Sequence, residues 1–237
     1  MERISTVWCK VCFRSDRFFG GRPREVEFMT GLLIEGIVAS GKTSLIRAIQ
    51  AMPEWQRRSS KLLLSEFFTE RANEHLRSRD SEAYRGLMQK NLRILEAARQ
   101  IEIASPLLSQ GTDRELCFLL ERFHLTNAVS YADSEFDDYR EIDLALARLS
   151  CRLVLLVVDD RMVPARVAEV FRQRGAAWQQ YQQRLQEKVG DLGAHYVSAQ
   201  RELSRGAAWT KMEHLVVDTT DKNWSRCAEE VLRFWRI

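Results

Sequence analysis

The chain has 237 residues, of which 45% are hydrophobic and 29% charged, and its formal net charge is +3. That length holds one sizeable α/β domain, and the composition is that of an ordinary soluble globular protein. The charge is too small to argue for a nucleic-acid polymer as partner, no apolar run is long enough to cross a bilayer, and five scattered cysteines make no disulfide framework, so a reducing cytoplasm is the expected compartment.

Residues 1–28 read differently from the rest. They hold Cys9-x-x-Cys12 and Phe18-Phe19-Gly20-Gly21 without a helical or strand period, and no secretory apolar segment. A zinc site needs two more ligands. No second Cys or His pair follows at suitable spacing, so a disordered arm is expected. Met29 stands just before the first convincing strand, and a start codon assigned too far upstream would give the same picture. The domain is expected over 29–237.

Leu32-Leu33-Ile34 is a short apolar run of the kind a buried parallel strand needs, placed at 31–35. Directly after it, Gly36-Ile37-Val38-Ala39-Ser40-Gly41-Lys42-Thr43 fits the phosphate-cradling pattern G-x-x-x-x-G-K-[ST]. Leu45, Ile46 and Ile49 then recur at helical spacing over 42–52. A strand, a glycine loop and a helix N-terminus make an anion site, because loop N–H groups and the helix dipole both favour negative charge. Gly36, Ala39, Ser40, Gly41, Lys42, Thr43 and Ser44 are the expected ATP-binding set. Lys42 would reach the β- and γ-phosphates, and the Thr43 hydroxyl would hold Mg²⁺.

Strand and helix patterns alternate from there on. Strands are expected at 61–66, 116–121, 153–159 and 213–218, and helices at 71–104, 127–149, 162–189, 194–207 and 223–235. Pro53 and Pro106 punctuate the ends of helical stretches. This alternation predicts a three-layer α/β fold, a five-stranded parallel sheet with helices on both faces. In such sheets ligands bind outside the carboxyl ends of the strands. The strand ends carry Glu66, then Glu121-Arg122, then Asp159-Asp160-Arg161, then Asp218-Thr219-Thr220.

The phosphate loop, Glu66 after the second strand and Glu121-Arg122-Phe123 after the third together resemble the deoxynucleoside kinase and thymidylate kinase family of P-loop kinases. The third strand of that family ends Glu-Arg-Ser or Asp-Arg-Tyr, and Glu-Arg-Phe sits between the two. Asn127 to Tyr131, with Asp138-Tyr139, fits the helix that follows. The resemblance covers about 30–235 and implies a short helical lid, for which Arg172-Gln173-Arg174-Gly175 is the best candidate, with Arg172 stabilising the transferring phosphate. It also implies that Val217-Asp218-Thr219-Thr220 lines the adenine side, bringing Thr219 into the nucleotide site. Gln89 matches a family glutamine that pairs with a base, although a surface glutamine is the simpler reading. Ser65-Glu66-Phe67 departs from the Arg-Glu-Pro of thymidylate kinases, so the acceptor can be a nucleoside or another small hydroxyl compound.

Phosphoryl transfer needs positioning and charge stabilisation, and a carboxylate to take the proton of the attacking hydroxyl. Glu66 is the first choice as base. Glu121 is the alternative, as base or as a metal ligand beside Thr43. Arg122 would hold the acceptor, with a salt bridge to Glu66 as its structural reading. Phe67 and Phe68 could stack on a base, but as aromatics after a strand they are expected in the core. The expected function is ATP- and Mg-dependent phosphoryl transfer to a nucleoside or nucleoside monophosphate. A kinase of another small metabolite is the second reading and a regulatory ATPase the third. The guanine-reading Asn-Lys-x-Asp is not matched by Thr220-Asp221-Lys222-Asn223. The expected partner is a small-molecule phosphate acceptor, with neither membrane nor nucleic acid, and homodimerisation stays open.

Overall fold

The structure, a computed structural model, describes residues 29–70, 81–104, 116–131 and 133–237. The arm at 1–28, with Cys9 and Cys12, lies outside the described residues, as do the first ten residues of the expected helix 71–104. Five strands, β1 (Met29–Gly36), β2 (Lys61–Leu64), β3 (Leu116–Glu121), β4 (Cys151–Val157) and β5 (His214–Asp218), form one sheet in the order β2-β3-β1-β4-β5. Every pairing is parallel.

The apolar strand runs follow from burial on both faces. Leu33 lies opposite Leu120 and Leu153, and all three turn toward one face with Phe118 and Leu155. Leu32, Ile34, Leu119, Val154 and Leu156 turn toward the other. Each such side chain contributes roughly 1.5–3 kcal/mol on leaving water. The second face is covered by α1 (Lys42–Ala51), the one-turn α2 (Pro53–Gln56) and α10 (Trp224–Trp235), through Leu45, Ile49, Trp55, Val231 and Trp235. The first face carries α4 (Ser81–Ala104), α5 (His124–Ser130), α6 (Arg140–Arg148), α7 (Val163–Gln173) and α9 (Leu192–Trp209). Helix α8 (Ala176–Val189) packs against α7 and α9. Among the described residues no helix is long and apolar enough to cross a membrane.

Three expected elements end differently. The second strand stops at Leu64, because the Ser65 carbonyl accepts from Phe68 N at 2.8 Å and Thr69 N at 3.2 Å, turning the chain into α3 (Glu66–Thr69). Glu66 therefore begins a helix. The stretch expected as helix 127–149 breaks after Ser130. It resumes through a 3-10 turn, Phe136–Tyr139, where Glu135 N donates to Asp138 at 2.8 Å. The stretch expected as 162–189 breaks where Arg174 adopts extended backbone and Gly175 caps α8.

Candidate active site

The loop between β1 and α1 has the backbone its glycines permit. Gly36 and Gly41 have φ of +147° and +96°. A Cβ at Gly36 would come within 2.8 Å of the Leu156 carbonyl, and one at Gly41 within 2.0 Å of the Trp224 ring. Only glycine combines that φ with that approach. Ala39, at φ +67°, bears strain of about 1–2 kcal/mol in the left-handed region. The loop is braced from behind. Thr219, fully buried, donates to the Ser40 carbonyl at 2.8 Å. Arg166 on α7 donates to the carbonyls of Thr219 and of Thr220, the latter at 2.8 Å, and reaches Ala39 O at 3.5 Å. Thr43 and Ser44 lie on the first turn of α1, Thr43 exposed and Ser44 half-buried.

Lys42 is buried and folds back on the loop, donating to Gly36 O at 2.7 Å and Ile37 O at 2.8 Å. Burial, reinforced by the Arg122 charge, lowers its pKa from the usual 10.5 to about 7, against the opposing pull of Glu121, Glu66 and Glu35.

The ends of β2 and β3 bring carboxylates to the same rim. Glu121 accepts from the Thr43 hydroxyl at 3.3 Å through one oxygen and from Glu66 N at 3.4 Å through the other. Helix α3 is pinned in place by Thr69, which donates to Glu121 O at 2.5 Å, and by Asn91 on α4, which donates to Phe68 O at 3.2 Å. Arg122 stands at φ +56° with its N–H on Ile34 O at 3.0 Å. Its guanidinium is 3.1 Å from Glu70 and 4.0 Å from Glu66. Burial works against its charge, but Glu70, Glu66, Glu121 and Glu35 outweigh it and push the pKa further up, so Arg122 stays protonated. Beneath, the fully buried Glu35 accepts from Phe123 N at 2.9 Å, from Thr126 N at 3.3 Å and from the Thr126 hydroxyl.

The expected set divides. Lys42, Thr43, Glu66, Glu121 and Arg122 converge at the carboxyl end of the sheet. Arg172 does not join them: it is exposed and donates to Ala168 O on its own helix at 3.3 Å. Arg174, two residues on, lies 4.0 Å over the Trp178 ring. Phe67 and Phe68 are not core residues; they are 62% and 52% exposed, because the turn into α3 carries them to the surface. Gln89 is exposed on α4, in keeping with the surface reading. The closest ion-pair partner of Arg122 is Glu70, rather than the expected Glu66. Glu70, Glu35, Arg166 and Trp224 were absent from the expected set. Glu70 had a signal in its i,i+4 spacing from Glu66, which places both on one face once the segment is helical. Glu35 had one in being a lone acid inside an apolar strand. Arg166 and Trp224 carry none, because their contacts are to distant backbone and ring.

The Thr43 hydroxyl and the Glu121 carboxylate offer two hard oxygen donors beside the glycine loop. That donor set fits Mg²⁺, which takes one or two protein oxygens and completes its shell with phosphates and water. Among the described residues no cluster of three His, Cys, Asp or Glu side chains could hold a metal unaided.

No protein-family model matches the chain, and no curated protein matches it in sequence. Solved structures do match. The Bacillus subtilis YorR protein, solved with phosphorylated GDP, superposes with a TM-score of 0.52 at 13% identity, over 86% of this chain and 95% of that one. A structure from Chloroflexus aurantiacus j-10-fl superposes with a TM-score of 0.44 at 16% identity, over 89% and 98%. At such identity the likeness to YorR is one of fold: the parallel α/β sheet with helices on both faces.

Proposed function

We propose that this chain is a kinase that transfers the γ-phosphoryl group of ATP to a hydroxyl, or a phosphate oxygen, of a nucleoside or nucleoside monophosphate. The observation that carries this reading is the contact between the two halves of the site: Thr43 of the phosphate loop donates directly to Glu121, which also receives the N–H of Glu66. The bound phosphorylated GDP of YorR is in keeping with a nucleotide ligand on this fold.

In this reading the loop N–H groups and Lys42 hold the triphosphate, with Lys42 released from the Gly36 and Ile37 carbonyls onto phosphate oxygens. Thr43 and Glu121 would hold Mg²⁺, which when bound offsets phosphate charge. Glu66 takes the proton as the acceptor hydroxyl attacks. The new O–P bond forms on the γ-phosphorus, the bond to the β-phosphate oxygen breaks, and ADP leaves. Arg122, kept protonated by its carboxylates, grips the acceptor. The domain spans 29–237, and the reaction belongs in the cytoplasm.

The test is a nucleotide-consumption screen, with ATP and GTP as donors, against nucleosides, nucleoside monophosphates and common hydroxyl metabolites. Turnover confined to nucleosides or their monophosphates is the expected result. Turnover with a different metabolite class overturns the acceptor, and hydrolysis unstimulated by any acceptor overturns the kinase reading.

A further inference from the structure

Helix α5 begins without a cap of its own. Its N-cap residue is Phe123, whose side chain carries no acceptor, so the first N–H groups of the helix need a partner from elsewhere. Glu35, the next-to-last residue of β1, supplies it. One carboxylate oxygen accepts from Phe123 N at 2.9 Å and from Thr126 N at 3.3 Å, and the other accepts from the Thr126 hydroxyl. Glu35 is fully buried, and so is Phe123. A carboxylate in such a place is tolerated only when its oxygens are met, and here three donors from one turn of chain meet them.

This cap lies one residue beyond Arg122. Arg122 has φ +56°, a left-handed backbone that is unfavourable for any residue with a Cβ. Its N–H is held by Ile34 O at 3.0 Å, and the following N–H, that of Phe123, is held by Glu35. Two consecutive residues of β1 thus hold the two peptide N–H groups on either side of the Arg122 Cα. The carbonyl that precedes Arg122 is held as well, because Glu121 O accepts from the Thr69 hydroxyl. Freed from Glu35, the turn would relax toward right-handed backbone and carry the guanidinium away from Glu70, which it now meets at 3.1 Å.

We propose that Glu35 is a positioning residue for the acceptor side of the site: it caps α5 and fixes the left-handed turn that aims the Arg122 guanidinium. Glu35 acts through Arg122 alone. The role of Arg122 toward the acceptor belongs to the kinase reading above, on which this proposal rests.

The experiment is a double-mutant cycle between Glu35→Gln and Arg122→Ala, read with a confirmed acceptor. Glutamine keeps the size of the side chain but offers the turn one acceptor oxygen instead of two. Glu35→Gln should lower kcat/KM for the acceptor by about 10–100-fold, with KM raised, Tm lowered and the affinity for a non-hydrolysable ATP analogue little changed. In the Arg122→Ala background the same substitution should have almost no further effect on kcat/KM, because the group being aimed is gone. Where Arg122→Ala leaves no turnover, acceptor affinity by calorimetry closes the same cycle. An equal loss in both backgrounds marks a merely structural role and overturns the proposal. So does an unchanged kcat/KM, or a nucleotide affinity that falls in step with it. If Glu35→Gln does not fold, Thr126→Val and Thr126→Ser take its place in the cycle. Valine removes the hydroxyl that Glu35 accepts from and serine keeps it, so only the valine variant should lose kcat/KM, and only where Arg122 is present. An equal loss for both, or none for valine, overturns the proposal. A native chain inactive toward every acceptor defeats the kinase reading and this role with it. An active native chain beside an unaltered Glu35→Gln defeats only this role.

Discussion

The Thr43 hydroxyl donates to Glu121 Oε1 at 3.3 Å, joining the first turn of α1 to the last residue of β3. Those residues are 78 positions apart in the chain. The bond orients two oxygens toward the same point beside the phosphate loop. Thr43→Ala and Glu121→Gln should therefore share a phenotype. Each should raise the Mg²⁺ concentration needed for half-maximal activity by about 10–100-fold, the usual effect of losing one partner at a metal site, with Tm little changed. Magnesium titration of both variants checks this; unshifted midpoints would remove these residues from the metal site.

In the proposed reading Glu66 is the base, and Glu66→Gln keeps its shape and hydrogen bonding but removes that function. The loss should fall on kcat, at roughly 10²–10⁴-fold, while ATP affinity barely moves. Arg122→Ala should raise KM for the acceptor as well as lower kcat, since in the same reading it would grip the acceptor in the ground and transition states alike. Steady-state kinetics of both variants separate the roles. A silent Glu66→Gln beside a dead Glu121→Gln would transfer the base to Glu121.

Lys42 gives a pH signature. With its pKa lowered to about 7, the empty loop holds a lysine that is increasingly neutral above that pH. A bound triphosphate favours the charged form, so binding above pH 7 takes up a proton. The affinity for ATP should weaken by up to about tenfold per pH unit from 7 upward, a range above the ionisation of phosphate itself near pH 6. Calorimetry at pH 7, 8 and 9 measures both the affinity and the proton uptake, and Lys42→Met should flatten the profile. The sign for stability follows from the same shift. The unfolded chain binds the proton more tightly, so the empty fold carries the full penalty below pH 7, and the penalty fades toward pH 10.5. The stability gain of Lys42→Met over the native chain should therefore shrink as pH rises through this window.

Gly41→Ala combines a φ of +96° with a Cβ placed 2.0 Å from the Trp224 ring. Overpacking alone typically costs about 1–3 kcal/mol. Gly41→Ala should lower Tm by several degrees and weaken nucleotide binding. Adding Trp224→Leu should recover part of the stability, because it removes the clash but leaves the backbone strain. Thermal melts of the single and double variants test this, and no recovery would mean the backbone term dominates.

The centre of the fold is legible in the sequence and its rim is not. Leu32-Leu33-Ile34, the glycine loop and Leu45, Ile46 and Ile49 announce themselves because strand burial, loop conformation and helix period are local properties. The break at Gly175 and the turn at Ser65 are less so, since a helical period continues across the first and an apolar run leads into the second. Phe67 and Phe68 follow an apolar run yet face outward, because one helical turn redirects them. Glu70 meets Arg122 only through folding; its spacing from Glu66 marks a shared helix face but not the guanidinium that face would meet.

The glycine loop springs from β1, which is laddered to β3 on one side and β4 on the other, whereas Glu66 and Glu70 follow β2, which among the described residues is laddered to β3 alone. In the proposed reading, the part of the site that takes the triphosphate, a ligand common to countless enzymes, is set between two ladders of the sheet. The part meant for the second substrate hangs from its margin. Descendants of this chain can therefore trade one second substrate for another by editing the α3 edge, and the apparatus that handles the nucleotide would pass through such changes undisturbed.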